Sequence, residues 1–197
     1  MPETAPFVVP SPDAVFPPFA GLTLAQIHVP ATAAACEAAA QALRQAGIVG
    51  FDTETRPVFT KGVDAGGPHL VQFATPDAAY LFQLHHPAVP PVVRALLQDA
   101  GLLKVGFGLR EDRRQIAARL GIEAESLVDL STHFRQHGMR RDVGVVTAVA
   151  MVLQQAFQKS KRISTSNWAA ERLRPNQLLY AANDAYAALM VYRALHK

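Results

Sequence analysis

The sequence predicts a mixed α/β fold, in which helices flank one sheet that contains both antiparallel and parallel strands. Three short apolar runs between residues 48 and 84 follow one another without a helix between them, which is typical of an antiparallel meander. Beyond residue 92, apolar runs alternate with helical spacing, which indicates parallel strands. The chain has 197 residues, of which 50% are hydrophobic and 18% are charged, so it can bury the core of one globular domain.

The first twenty residues differ in composition from the rest of the chain. Seven of the 14 prolines fall within the first thirty residues, and proline lacks an amide donor and fixes its own backbone. We therefore predict a proline-rich, extended arm over residues 1–20 that is not part of the main fold. A single domain is expected over residues 21–197, without internal repeats.

The elements of that domain follow from start, stop and spacing signals. A helix is predicted from Thr32 to Gly47, because this segment is rich in alanine, threonine can cap its start and glycine ends it. The next strand, from Ile48 to Glu54, ends at a loop that contains two glycines. The further predicted elements are strands over 70–74 and 79–84, a helix around 92–97, a strand over 102–107, a helix over 111–120, a strand over 126–130, and helices over 131–137, 143–157 and 175–195. A polar, basic loop is expected between the last two helices.

Composition excludes several classes of protein. No run of eighteen apolar residues occurs, and the first residues, Met-Pro-Glu-Thr, are not the basic start of a signal peptide, so neither membrane spanning nor secretion is expected. Cys36 is the single cysteine, which excludes an internal disulfide and a thiolate zinc cluster. We therefore expect an intracellular protein, cytoplasmic in a prokaryote.

The net charge of +3 conceals an uneven distribution of charge along the chain. Residues 1–130 carry 9 Lys and Arg against 13 Asp and Glu, whereas residues 131–197 carry 10 against 3. The second part is therefore a candidate for binding a polyanion. A solvated basic surface without a ligand is the alternative.

Two pairs of residues place polar side chains on one face of an element. Asp52 and Glu54 are two apart on a predicted strand, so their carboxylates point the same way, about 6.5–7 Å apart. Tyr180 and Asp184 are four apart on a predicted helix, so they share one face. The alternatives are solvated acids at the end of a strand and an ordinary helix whose tyrosine packs against its neighbours.

A further acid, Asp112, lies where an apolar strand gives way to a helix. The helix dipole favours an acid there without any function, and Glu111 competes for the functional role. The nearby Gly106-Phe107-Gly108 lacks the third glycine of a dinucleotide-binding loop. His133 and His137 lack the glutamate of a zinc protease motif, so we interpret them as surface helix residues.

The four acids Asp52, Glu54, Asp112 and Asp184 are stronger evidence for a functional site as a set than any one of them is alone. Four carboxylates from three segments could converge on two divalent cations, since carboxylate oxygens are the ligands that Mg²⁺ and Mn²⁺ prefer. Two such ions stabilise the attacking and leaving oxygens in a displacement at phosphorus. The set therefore indicates phosphodiester chemistry.

Five segments carry a more specific signal, in order between about Gly47 and Leu195. They are GFDTET at 50–55, LVQFA at 70–74, KVGFGLREDRRQI at 104–116, KSKRISTSNW at 159–168 and QLLYAANDAYA at 177–187. Together they resemble the DEDD exonucleases of the ribonuclease H-like (DnaQ-like) fold. The likeness is closest to the tyrosine subgroup that contains RNase D and the exonuclease domain of the Werner syndrome protein.

This resemblance implies a fold, an activity and a site. It implies that Asp52, Glu54, Asp112 and Asp184 bind two Mg²⁺ or Mn²⁺ ions, and that the hydroxyl of Tyr180 positions or helps to activate the attacking water. With an ordinary pKa near 10, that tyrosine is more plausible as a hydrogen-bonding orienter than as a full general base. The products would be nucleoside 5′-monophosphates, released from the 3′ end of a nucleic acid.

The basic segment then has a possible use. Lys159, Lys161 and Arg162 are expected to hold the phosphate backbone of the substrate, with little sequence preference. Arg113 is a further candidate contact or a solvated helix residue. Trp168 is a candidate platform on which a base stacks, or a packed core residue.

Two departures from the family bear on substrate binding. Val143-Gly144-Val145 stands where relatives commonly have a Ser-Leu pair, which puts contacts from that helix in doubt. The sequence also leaves no room for the helical nucleic-acid-binding domains of RNase D. Binding would therefore depend on this domain, on the arm, on self-association, or on a partner such as a helicase.

Three functions are compatible with these residues. The first is a 3′-5′ exonuclease that acts on DNA, by resemblance to the Werner-type domain. The second is an RNase D-like exoribonuclease, because the contacts that would recognise a 2′-hydroxyl cannot be identified in the sequence. The third is a nucleic-acid-binding module without catalysis, which the complete set of motif residues disfavours.

Overall fold

A computed structural model describes residues 7–11, 13–58, 60, 62, 65–137 and 139–196 of the chain. One six-stranded sheet forms its centre. The strands are β1 (Ile27–His28), β2 (Ile48–Glu54), β3 (Leu70–Ala74), β4 (Ala79–Gln83), β5 (Leu103–Gly106) and β6 (Leu127–Asp129). Their order across the sheet is β1-β4-β3-β2-β5-β6.

Helices cover both faces of the sheet. They are α1 (Ala33–Ala46), α2 (Val89–Leu97), α3 (Arg110–Leu120), α4 (Val145–Ala148), α5 (Lys161–Ser164) and α6 (Pro175–Leu195), with a π-helix over Val149–Leu153 and 3₁₀ turns over Leu24–Gln26 and Leu130–His137. Within the described residues, no helix is both long enough and apolar enough to cross a membrane.

The pairing of the strands confirms the predicted mixed sheet. β2, β3 and β4 form the antiparallel meander, and β5 and β6 join β2 in parallel. Crossover helices separate the parallel strands, as this geometry requires. One face of the sheet packs against α1 and α2 around Phe51 and Phe73, and the other packs against α6.

A glycine in β2 allows α6 to lie very close to the sheet. A Cβ atom on Gly50 would lie 1.8 Å from the backbone carbonyl oxygen of Ala185 in α6. Only a residue without a side chain permits this approach. As a result, the neighbouring Asp184 of α6 reaches the same edge of β2 as Asp52, two residues after the glycine.

The second half of the chain differs from the prediction in three elements. The helix expected over 143–157 ends early, because α4 runs into the π-helix and Gln154 then adopts a left-handed backbone with φ of 53°. The segment over 131–137 is a 3₁₀ helix. The basic loop contains the short helix α5. In the first half of the chain, β1 is only two residues long, which is too short for periodicity to predict it.

The described residues of the predicted arm contact the main fold. Val8 donates a backbone hydrogen bond to Met151, and Phe19 donates one to Ala156. The ring of Phe7 lies 5.0 Å from the ring of Phe134. The aromatic side chains bury apolar area on the domain, which composition dominated by proline did not predict. Residues 1–6 and 12 of the predicted arm lie outside the described residues.

Candidate active site

Three of the predicted acids lie together where α6 crosses β2. Asp52 and Glu54 project from one face of β2, and Asp184 reaches them from α6. Each offers a carboxylate oxygen, and these oxygens lie within 4.8 Å of one another. Strand alternation explains the first two positions, and the close approach at Gly50 explains the third.

The three carboxylates lie in an environment that disfavours their charged form. Burial, and then the charges of Asp184 and Asp112, raise the pKa of Asp52 well above its usual value. Burial and the neighbouring Asp52 raise the pKa of Glu54 to about 10. The Asp184 residue is only 4% exposed, and burial raises its pKa as well. Crowded acids of this kind require a cation to be stable in their charged form.

Asp112 lies beside this group and is held by a neighbour in β2. The hydroxyl of Thr53 donates a hydrogen bond to the Asp112 carboxylate, and the charge of Asp112 contributes to the raised pKa of Asp52. The start of α3 is fixed by Asp129, whose carboxylate accepts the backbone N–H groups of Gly108 and Leu109. The turn into α3 thus brings Asp112 to the edge of β2.

Glu111, the competing acid, has a different role. Its carboxylate accepts hydrogen bonds from Arg114 and Gln115 on the same helix, and these bonds lower its pKa to about 2. It is exposed, unlike its neighbour Asp112. The geometry therefore places Asp112, and not Glu111, with the acid cluster.

Tyr180 lies one helical turn before Asp184. Burial and the negative charge of Asp184 raise the pKa of its phenol to about 12. The hydroxyl therefore keeps its proton at neutral pH, where it can donate a hydrogen bond but cannot serve as a base. This state fits the orienting role that its ordinary pKa had suggested.

Lys159 lies inside the cluster. Its Nζ is 2.7 Å from Oδ2 of Asp184 and 5.3 Å from the centre of the Tyr180 ring. Burial alone would lower the pKa of this ammonium, but the carboxylates of Asp184 and Asp52 outweigh burial and raise it. Sequence reasoning expected Lys159 only on the substrate backbone. The spacing of residues along the chain did not indicate that Lys159 also balances the negative charge of the acids.

Ser166-Asn167-Trp168, the SNW signature at the end of the basic segment, ends in a tryptophan that packs in the core. Trp168 is 0% exposed, and its indole N–H donates to the carbonyl oxygen of Ser164. The prediction that Trp168 stacks against a base is therefore wrong, because its ring faces are covered by the core. Gln177 of α6 donates to Ser166 and Asn167, so the signature attaches the basic segment to the helix that carries Tyr180 and Asp184.

The other predicted substrate contacts are more peripheral. The guanidinium of Arg113 donates to the carbonyl oxygen of Leu127 in β6, which commits it to packing between α3 and the sheet. Lys161 and Arg162 extend from α5 and are exposed. Within the described part of the chain neither forms an ion pair, so both stay accessible to an anion.

The donor set fits a divalent metal ion. Carboxylate oxygens are hard ligands, and Asp52, Glu54 and Asp184 supply three of them at one point, with Asp112 nearby. Within the described residues this group consists of carboxylates, so its chemistry is that of a site for a hard divalent cation. A divalent ion would lower the pKa of each carboxyl that it binds.

Comparison with known proteins agrees with this geometry. A 3′-5′ exonuclease family model matches residues 27–197. A 3′-5′ exonuclease from Arabidopsis thaliana is 33% identical over 75% of this chain and 52% of its own length. The bifunctional 3′-5′ exonuclease/ATP-dependent helicase WRN of Mus musculus is 29% identical over 75% of this chain and 11% of its own length.

A solved structure shows the same fold. The crystal structure of Trypanosoma brucei RNase D matches with a TM-score of 0.76 and 22% identity, covering 86% of this chain and 64% of that one. The chain spans about half the length, or less, of the two curated relatives. Since the family model covers most of the chain, including every residue of the acid cluster, the chain belongs to the 3′-5′ exonuclease family.

Proposed function

We propose that the chain is a metal-dependent 3′-5′ exonuclease that shortens DNA from its 3′ end and releases nucleoside 5′-monophosphates. One observation carries this proposal. In a member of the 3′-5′ exonuclease family, Asp52, Glu54 and Asp184 converge within 4.8 Å beside a protonated tyrosine and a lysine. This combination suits hydrolysis of a phosphodiester better than binding alone.

We infer that the four acids hold two divalent cations, Mg²⁺ or Mn²⁺. Bound there, such ions would lower the pKa of the attacking water and stabilise charge on the phosphate oxygens. Asp52, Glu54 and Asp184 would supply ligands to these ions, and Asp112, held by Thr53, would complete the set. The chain's contribution is a group of carboxylate oxygens that the fold already holds close together.

Two other side chains act on the substrate in this proposal. The hydroxyl of Tyr180 donates a hydrogen bond that orients the water for attack on the scissile phosphorus. The ammonium of Lys159, freed from Asp184 when cations bind, moves to a phosphate oxygen of the strand. Lys161 and Arg162 on α5 continue this basic surface and hold the phosphates that follow, without reading bases.

The choice of DNA rests on the likeness to the Werner-type exonuclease domain. RNA is the second candidate, because Trypanosoma brucei RNase D, which shares the fold, has also been crystallised with RNA U12. Nothing in the acid cluster discriminates between the two sugars. We also propose an intracellular location, with which a single, buried cysteine, Cys36, is compatible.

The test uses oligonucleotides of one sequence, made as DNA and as RNA and labelled at the 5′ end. We expect a ladder that shortens from the 3′ end with Mg²⁺ or Mn²⁺, no products with EDTA, and faster degradation of DNA. Asp112→Asn should abolish the ladder, whereas Glu111→Gln, one residue away, should keep it. RNA-only degradation would replace DNA by RNA, and intact strands in every lane would overturn the enzymatic proposal.

A further inference from the structure

A cavity of about 580 Å³ lies along α6, and Tyr180 of the candidate active site is one of its lining residues. Three segments line it. The arm contributes Phe16 and Phe19, the segment before α5 contributes Phe157, and α6 contributes Leu179 and Tyr180. Because Tyr180 borders both the cavity and Asp184, a molecule bound at the acids can extend directly into this space.

The arm forms a fixed wall of the cavity. The backbone of Phe19 donates to the carbonyl of Ala156 at 3.0 Å, and Ala156 donates back to Pro17 at 2.8 Å. The ring of Phe19 also packs edge-on against Phe157, with centroids 5.1 Å apart. The match to the family model begins at residue 27, so this wall belongs to the chain's own leading segment and lies outside the matched region.

The lining chemistry matches a flat, aromatic molecule with polar edges. Phe16, Phe19 and Phe157 give apolar ring surface, and Asn176 and Gln158 give amides that can both donate and accept hydrogen bonds. Neither amide side chain has a hydrogen-bond partner among the described residues. A volume of this size is typical of a site for one small organic group.

The surroundings identify the class of that molecule. The Nζ of Lys159 lies 5.3 Å from the ring of Tyr180, which lines the cavity, and Lys161 and Arg162 lie on α5 between the lining residues Ser160 and Ile163. Anionic groups are therefore favoured alongside an aromatic one. A nucleotide unit combines these features, since its base stacks on aromatic rings and its phosphate pairs with cations. A purely apolar peptide side chain would leave the amides and the basic residues unused.

We propose that this cavity receives a nucleobase of the strand being shortened, with Phe16 and Phe19 of the arm as its stacking wall. The inference rests on the proposed function, because it assumes that the scissile phosphate lies at the acid cluster. It makes the arm a substrate-binding element, whereas the acids and Tyr180 carry the chemistry. Sequence preference is not expected, because every base presents an aromatic face.

The experiment removes the aromatic ring from the protein and the base from the strand, separately and together. Binding of a fluorescent single-stranded oligonucleotide is measured by anisotropy in EDTA, with strands that carry an abasic residue at the first, second or third position from the 3′ end. We expect Phe16→Ala to weaken binding of the intact strand about tenfold. For one of the three abasic strands, Phe16→Ala should bind as tightly as the unaltered chain does, because the base that Phe16 would contact is already missing. Val15→Ala, at a side chain that is 94% exposed on the same arm, should bind like the unaltered chain.

Phe16→Leu keeps an apolar side chain without an aromatic face, and separates stacking from folding of the arm. It should retain the melting temperature of the unaltered chain and still bind the strand more weakly. Equal binding by Phe16→Ala and the unaltered chain, or losses that add at every abasic position, would overturn the inference. Failure of the proposed function would differ, since it would show as absence of metal-dependent hydrolysis by the unaltered chain, whatever the arm contributes to binding.

Discussion

The ammonium of Lys159 lies 2.7 Å from Oδ2 of Asp184, so a side chain from the basic segment supplies the positive charge that the buried acids require. The Lys159 side chain is 33% exposed and that of Asp184 only 3%. The pair therefore joins a lysine that can move into solvent to an aspartate that cannot. This asymmetry allows the ammonium to leave when a divalent cation takes its place beside Asp184.

We predict that Lys159→Met destabilises the metal-free protein. The substitution leaves the Asp184 carboxylate without its nearest cation, and solvent around the lysine reduces the loss to about 1–3 kcal/mol of unfolding free energy. Urea denaturation in EDTA at pH 8 measures it. Lys161→Met, at an exposed lysine two residues away that forms no ion pair within the described part of the chain, is the matched control. Equal midpoints for the two variants would contradict the role assigned to the ion pair.

The pH dependence of stability should reflect the raised pKa of Glu54. That pKa is about 10 in the folded chain against 4.5 for an ordinary glutamate. Above pH 4.5 the unfolded chain loses this proton first, so stability in EDTA should fall as the pH rises from about 5 to about 7.5. Melting temperatures across this range test the slope, which Glu54→Gln should flatten.

Two comparisons make that result specific. Glu111→Gln should leave the slope unchanged, because the low pKa of Glu111 keeps this group ionised throughout the range in both states. Added Mn²⁺ should raise the melting temperature more at pH 7.5 than at pH 5, since binding requires deprotonated ligands. A melting temperature that rises with pH in EDTA would show that the cluster is not buried as described.

The hydrogen bond from Thr53 to Asp112 gives a prediction about a residue that binds no substrate. Thr53→Val keeps the shape of the side chain and removes the donor, so the Asp112 carboxylate loses its support. We expect kcat to fall about 10- to 100-fold, with little change in melting temperature. Thr53→Ser should restore activity. Thr55→Val, which removes a hydroxyl bonded to Gln115 instead, should have a smaller effect on kcat.

The contact at Gly50 predicts a loss of both stability and activity. A methyl group in Gly50→Ala would overlap the backbone of Ala185, so α6 must move away from β2. Overpacking of this kind costs about 1–3 kcal/mol, or more where backbone must shift. The same movement would draw Asp184 away from Asp52 and weaken binding of Mn²⁺, which calorimetry measures. Gly144→Ala, where a Cβ would meet nothing within 4 Å, is the control.

The sequence was most informative where periodicity and burial act together. The strands of the meander, β5, α3 and α6 all have apolar residues at the spacing of their element, so their positions could be predicted to within a few residues. The pairs Asp52 with Glu54 and Tyr180 with Asp184 followed from the same geometry. Their convergence needed the close approach of α6 at Gly50, which no local pattern reveals.

Other features depend on contacts between distant segments and left little local signal. The helix after Gly144 passes into a π-helix over Val149–Leu153, and the apolar spacing of the sequence does not distinguish this form from a continued α-helix. Trp168 has the residue type of a stacking platform but lies in the core, and only burial distinguishes the two roles. Lys159 was predicted to contact the phosphate backbone because it belongs to the basic segment. Its pairing with Asp184 could be seen only in the folded chain.

The packing of the arm on the domain also affects the order in which the chain can fold during its synthesis. Its contacts join distant positions, as in the bond from the Ala20 N–H to Gln155, 135 residues later. Synthesis runs from the amino end at about 5–20 residues per second, so Phe7 and Phe19 emerge roughly 6–30 seconds before the surface that covers them exists. The first described segment of the chain is therefore among the last to be placed. Until then, its aromatic rings are available to chaperones, or to other unfinished chains.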